Sequence, residues 1–188
     1  VAESSGKDTA PGRLETLRRF LNTVELESGN DEFGSPAALR DWLAAEGLTD
    51  AHASFDERDV ARAIAVREAF RAVIFANTVN ERPDAAALAL LSDAGSAARY
   101  RVTFHPEEGP QLQACAGGVD GALAALVAIM AQAMLDGSWS RFKACRRDGC
   151  RWAFFDWTKN RSGMWCSMAV CGNRVKARRY QERKRAQR

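Results

Sequence analysis

Long hydrophobic runs are scarce in this 188-residue sequence. The longest, from Ala122 to Met134, contains Gln132 and on its length falls short of a bilayer's thickness, so it reads as a buried core helix. Residues Val1 to Gly12 have neither the basic start nor the apolar stretch of a secretory signal, and read as a disordered lead-in. Together these absences point to a cytoplasmic protein with no membrane contact. Histidine is limited to His52 and His105, and there is neither a G-x-S-x-G nucleophile motif nor a glycine loop to cradle phosphate. The expectation is therefore a protein that is not an enzyme. Internal repeats and low-complexity tracts are also missing.

What is present is an ordinary globular composition, 46% hydrophobic and 27% charged. A chain of this length can hold one self-sufficient core and a small appendage of the kind that recruits metal. The charge is divided unevenly. Residues 141–188 carry 15 Lys and Arg against Asp148, Asp156 and Glu182, whereas the first 140 residues carry 12 bases against 21 acids. A net +12 block on a −9 body is the outline of a polyanion-binding module attached to a region with another task.

Helical spacing of Leu14, Leu17, Leu21 and Val24 predicts a first helix over about residues 13–24. Ser35-Pro36 caps a second, with Leu39, Trp42 and Leu43 inward and Gly47 at its end. Ser54 and Glu57 have capping-box spacing before a long third helix reaching about Asn77. Asp84 caps a fourth, which closes before Gly95, and a fifth runs from about Val119 to Leu135. Between Arg99 and Ala116 the period changes to two, with Tyr100, Val102 and Phe104 alternating with polar residues, which predicts a β-hairpin turning at Glu107 to Pro110. Cys115, at the end of its second strand, reads as a buried inert thiol.

The other four cysteines, Cys145, Cys150, Cys166 and Cys171, form a C-x4-C-x15-C-x4-C pattern. Two close pairs separated by a loop can wrap two edges of a tetrahedral Zn2+, and Gly149 offers backbone freedom for the knuckle. Disulfides are the competing reading, disfavoured where no export signal is seen.

The segment from Cys166 through Cys171-Gly172-Asn173-Arg174, preceded by Trp165 and followed by Lys176, Arg178 and Arg179, resembles the CGNR zinc finger over about residues 142–185. The body resembles the ABATE domain through Phe20-Leu21-Asn22-Thr23, Trp42-Leu43 with Gly47-Leu48, and Arg67 to Arg71. These resemblances imply a bacterial, stress-related transcription regulator in which the four cysteines are ligands. The chain departs from the pattern at Ser162-Gly163-Met164, where members often carry arginines before the tryptophan.

The expected fold is α+β: a lead-in over 1–12, a mostly helical body with a β-hairpin over 13–137, and a small treble-clef-like finger over 138–188. In that picture a helix starting near Ser167 holds Cys171, keeps Val175 near the metal, and displays Arg174, Arg178 and Arg185 on one stripe and Lys176, Arg179 and Arg183 on another. With Lys159, Arg161 and Asn173 these are the candidate nucleic-acid contacts, double-stranded DNA being the expected partner. Trp152, Phe154, Trp157 and Trp165 keep an RNA-stacking alternative open, although core packing suits most of them better. A zinc-dependent protein-interaction module is the other alternative. The body is a candidate ligand sensor for a small-molecule effector, with Asn22 and Thr23 the polar residues nominated for its pocket.

Overall fold

The computed structural model describes residues 9–107 and 109–186, except for the side chains of Arg179 and Ala186. The expected disordered lead-in therefore lies largely outside the described residues. Its last part is held down: Ala10 is buried and donates its N–H to Glu15, and the Trp157 indole donates to the Thr9 carbonyl.

Helix α1 (Leu14–Leu21) buries Leu14, Leu17, Phe20 and Leu21. It stops short of Val24, because Thr23 turns its hydroxyl back to the Phe20 carbonyl and the chain enters β1 (Val24–Glu25), paired with β2 (Asn30–Asp31). Gly29, at φ +76°, closes this unforeseen small hairpin by donating to Glu25. Helix α2 (Pro36–Ala45) has the expected Ser35 cap, whose hydroxyl accepts from the Ala38 N–H, and ends at left-handed Gly47.

Helix α3 (Glu57–Val79) is the central element. Its capping box is Asp56 with Asp59 rather than Ser54 with Glu57; a carboxylate at each position satisfies the other's backbone N–H. Helix α4 (Ala85–Ser96) uses the predicted Asp84 cap but runs through Gly95. That glycine serves close packing, since a Cβ there would lie 3.0 Å from Val127 on α5 (Gly118–Leu135). Between α4 and α5, β3 (Tyr100–His105) and β4 (Gly109–Ala114) form the predicted hairpin, Val102 opposite Leu112. Cys115 beyond it is exposed, not buried, because β4 ends before the chain turns into α5.

Helix α5 matches the predicted span of about Val119 to Leu135 and extends beyond the apolar run itself. By length and composition alone it would cross a membrane, yet more than half of it is buried inside the fold, with Ala122, Leu123, Leu126 and Ile129 facing the other helices. The apolar stripe of α3 (Val60, Ala63, Phe70, Ile74) meets it and α1.

The chain then enters β5 (Phe142–Ala144) and β6 (Ala153–Phe155), paired with Phe142 opposite Phe155. Phe142, Ala144, Ala153 and Phe155 belong to the same hydrophobic core as the helices. Backbone and side-chain bonds strengthen the seam: Thr78 on α3 donates to the Ala144 carbonyl and accepts its N–H, while Asn77 donates to the carbonyls of Trp139 and Phe142. A π-helical turn at Met168–Gly172 leads into α6 (Asn173–Ala186), completing an α+β fold that ends in a small four-cysteine region.

Candidate metal centre and its basic flank

Cys145 and Cys150 sit at the two ends of the turn that joins β5 to β6, so the knuckle is the hairpin's own loop. The Cys145 N–H donates to the Trp152 carbonyl, and the Cys150 and Arg151 N–H groups both return to Arg147. The left-handed residue of this knuckle is Arg151, at φ +53°, and not Gly149. Arg151 holds that conformation because its guanidinium lies 3.8 Å over the Phe75 ring and its carbonyl accepts from Arg71.

The loop from Asp156 to Gly163 delivers the second pair of cysteines. Lys143 and Asp156 are both buried and meet at 2.7 Å; Lys143 also donates to the carbonyls of Arg161 and Gly163. Burial would push the Asp156 carboxyl up, but the hydrogen bonds from Lys143, from the Thr158 hydroxyl and N–H, and from the Gly163 N–H outweigh it and hold the group down at about 2. A Cβ at Gly163 would lie 2.8 Å from that carboxylate. The chain's departure from the arginine-rich pattern at Ser162-Gly163-Met164 thus includes a position where a side chain would have to displace the Asp156 carboxylate. Cys171 is placed by the π-helical turn, which Ser167 caps by accepting from Val170.

The four sulfurs all lie within 4.8 Å of one another, with Cys150 to Cys166 at 3.6 Å and Cys166 to Cys171 at 3.7 Å. A tetrahedron of thiolates about 2.3 Å from zinc has edges of about 3.8 Å, so the donor set fits Zn2+ in chemistry and spacing. Mutual hydrogen bonds shift the thiols in opposite directions: Cys145 is pushed up to about 11 by Cys150, and Cys150 is drawn well below the ordinary thiol range by Cys145 and Cys166. Arg147 contributes an outer partner, its Nε donating to Cys171 Sγ at 3.3 Å. Trp165 packs against the cluster, and a Cβ at Gly172 would lie 3.2 Å from its ring and closer still to Met168.

The sequence-predicted cations do not gather at one place. Arg174 donates to Glu27 at 3.1 Å, and Arg178 pairs with Glu182 one turn on. Asn173, Lys176 and Arg183 are exposed on α6, and Val175 is half-buried as expected; the Arg179 side chain lies outside the described residues. Lys159 and Arg161 are on the Asp156–Gly163 loop, where Arg161 donates to Ser140. Of the four aromatic residues, Trp165 packs against the cysteines and Phe154 is half-buried, whereas Trp152 and Trp157 are exposed, Trp157 lying 4.7 Å from the Phe155 ring.

Asn22 and Thr23 are occupied elsewhere. Asn22 clamps β6, donating to the Ala153 carbonyl and accepting its N–H at 3.0 and 2.7 Å, and Thr23 accepts from buried Arg67. These bonds tie both side chains, nominated as pocket residues, into the fold. Sequence reasoning missed the residues joining body to metal region: Lys143, Asp156, Arg147 and Glu27. Only Asp156-Trp157-Thr158 carries a local signal, an Asp whose carboxylate accepts two residues on. Glu27 has none, because its partners Arg147 and Arg174 lie more than a hundred residues away.

Comparison with known proteins follows this division. Residues 16–138 match ABATE, described as "Putative stress-induced transcription regulator", and residues 141–184 match the CGNR zinc finger. No curated protein matches the chain. With four clustered cysteines in its C-terminal region and nearly two thirds of its length in the first match, the chain belongs to the ABATE family and carries a CGNR zinc finger.

Proposed function

We propose that the protein regulates transcription by binding double-stranded DNA through the C-terminal region of residues 138–188, with Cys145, Cys150, Cys166 and Cys171 holding one Zn2+. The observation that carries this reading is α6 itself. It is a 14-residue helix with seven Lys and Arg and one acid, and its N-terminal end is fixed beside the thiolates. A helix so basic repels itself unless an anion screens it, and the metal gives its first turn a defined place from which to meet one. Structural zinc anchors the helix; the charge is supplied by the chain.

Binding of a random-sequence duplex by the zinc-loaded protein at several salt concentrations tests the reading. Four to six neutralised phosphates give a slope of log affinity on log salt of about −4 to −5. Absent or salt-insensitive binding would instead favour a protein partner, and preference for a single-stranded RNA competitor would favour the exposed Trp152 and Trp157 as stacking platforms.

Regulation by a small molecule has support from a cavity of about 390 Å³ between the β1–β2 hairpin and the zinc region, lined by Leu26, Glu27, Trp152, Arg147 and Arg174 among others. An effector there would touch both parts of the chain. Saturation of this cavity should change DNA affinity without releasing zinc.

A further inference from the structure

The basic residues of the zinc region converge on a face that the two-stripe view of α6 does not single out. An open trough of about 740 Å³ runs between the C-terminal end of α3, the Cys145–Cys150 knuckle and α6, and Arg146, Arg147, Arg151, Arg174 and Arg178 all line it. Asp148 and Glu182 are the acids in its lining, and Glu27 reaches Arg147 and Arg174 from the neighbouring cavity. Five guanidinium groups thus face three carboxylates, leaving an excess of positive charge in one concave place. Phe75 and Trp165 form apolar parts of its wall. Such walls keep water from screening the charges as fully as it does on an open helix face.

The arginines are also held in position. Arg151 is fixed by its left-handed backbone, its stacking on Phe75 and its bond to Asp148, and it keeps one buried nitrogen, Nη1, without an acceptor. Arg147 is held by Glu27 and Cys171. Among the described residues the Arg146 guanidinium donates to the Met164 sulfur, at 3.4 Å, a weak acceptor that an anion would readily replace. Preset guanidinium forks match the paired oxygens of a phosphodiester, and little side-chain freedom is left to lose when one arrives.

We infer that this trough is the seat of the nucleic-acid backbone, with Arg146, Arg151 and Arg178 taking phosphodiester oxygens, and that the opposite face of α6 points away from the strand. The inference rests on the nucleic-acid reading above and narrows it from two stripes to one. At about 100° per residue, Lys176 and Arg183 lie about 160° and about 140° around the helix from Arg178, so one straight strand in the trough does not reach them.

The test uses the full-length, zinc-loaded protein and a random-sequence duplex, titrated at several salt concentrations. Arg146→Ala with Arg178→Ala should flatten the log–log salt slope by about 2 and weaken binding roughly 30- to 100-fold near 0.1 M salt. Lys176→Ala with Arg183→Ala should leave the slope unchanged. Zinc content and helical signal verify that both variants are folded; should the first lose zinc, Arg178→Glu alone, distant from the ligands in the chain, is expected to flatten the slope by at least about 1. Equal losses in the two pairs, or a loss confined to Lys176 and Arg183, would overturn the trough while leaving DNA binding intact. A wild-type protein that binds no duplex would remove the nucleic-acid reading and the trough with it. Tripolyphosphate binding abolished by the Arg146 and Arg178 changes, with DNA affinity untouched, would reassign the trough to small anions and equally overturn the inference.

Discussion

The helical body and the zinc region are stabilised by different means, and the border between the two means is not where the composition changes. Phe20, Leu39, Phe70, Ile74 and Leu123 fill the body's core by apolar burial. The zinc region has a second, much smaller cluster in which three buried cysteines and Trp165 take the place of a core. Charge changes sign near Arg141, yet the hairpin of β5 and β6 beyond that point lends Phe142, Ala144, Ala153 and Phe155 to the body. A motif boundary and a packing boundary are therefore separate properties of this chain.

Zinc removal is the strongest way to break that distinction. Structural zinc in small modules is associated with apparent binding free energies of about 10–16 kcal/mol, enough to decide whether the knuckle, the π-helical turn and α6 keep their structure. After chelation, or in Cys166→Ser, amide protection should vanish over residues 145–151 and 164–186. It should persist in Ala144, whose N–H goes to Thr78, in Ala153, whose N–H goes to Asn22, and throughout α1, α3 and α5. Hydrogen exchange followed by mass spectrometry reads this directly. Loss of protection in α3 would mean that the two parts melt as one unit.

The body buries Arg67 and Arg71 and the zinc region buries Lys143; Arg67 and Lys143 allow a sharper comparison. Arg67 donates twice to Asp31 and once to Thr23, and Lys143 is paired with Asp156. Removing Asp156 strands the buried Lys143 charge, at a cost of about 3–5 kcal/mol, whereas Arg67 without Asp31 keeps Glu68 at 3.1 Å and loses less. Asp31→Ala should lower the denaturation midpoint of the whole body, whereas Asp156→Ala should release the loop before Cys166 and weaken zinc retention with little change in the body's midpoint. Acid sharpens the contrast. The Asp156 carboxyl titrates lower in the fold than in the unfolded chain, so its contribution, about 2 kcal/mol, is complete above pH 4 and disappears as pH falls from there towards 2. Asp156→Asn should lack that acid-dependent loss in denaturant titrations; an unchanged loss would assign it to other carboxylates.

How much of this was legible beforehand depended on the distance over which residues cooperate. Caps are local, so Ser35, Asp84 and Gly47 announced the helix ends correctly. The cysteine pattern was equally readable because ligand spacing within each pair is local geometry. Ser54 misled because Asp56 and Asp59 satisfy the same requirement two residues later. Gly95 suggested a stop where it permits contact with Val127, a matter of tertiary packing. Asn22 and Thr23 were recognised as distinctive polar residues, but their partners, Ala153 and Arg67, are 131 and 44 residues away. The basic stripes were visible in the helix period, whereas the trough needs Arg146 and Arg151 from the knuckle, and no periodicity joins these to α6.

Asn22→Ala tests the neutral part of the seam at smaller cost. It leaves the buried Ala153 N–H and carbonyl without their side-chain partner, for a loss of about 1–3 kcal/mol. The loss should appear as faster exchange of the Ala153 amide and a lower midpoint for the hairpin, with zinc stoichiometry intact. A change confined to α1 would show that Asn22 acts as a helix end and not as a clamp.

Glu27→Gln should have the smallest effect on folding and an informative one on binding. The carboxylate accepts from both Arg147 nitrogens and from Arg174, and those Arg147 hydrogen bonds, outweighing a slight desolvation, hold it below the ordinary carboxylate range. It is therefore charged throughout the neutral range and competes with phosphate for two of the trough's five arginines. Glutamine keeps the size but not the charge, so Arg147 and Arg174 become available to DNA. Affinity at low salt should rise roughly threefold, the gain should fade as salt screens the site, and the salt slope should steepen by up to about 1 if one further phosphate is neutralised. Stability and zinc content should stay as in the wild type, because the pair is open to solvent. An unchanged affinity and slope would mean that the body's carboxylate and the DNA do not share these arginines, and would confine the backbone to the part of the trough formed by Arg146, Arg151 and Arg178.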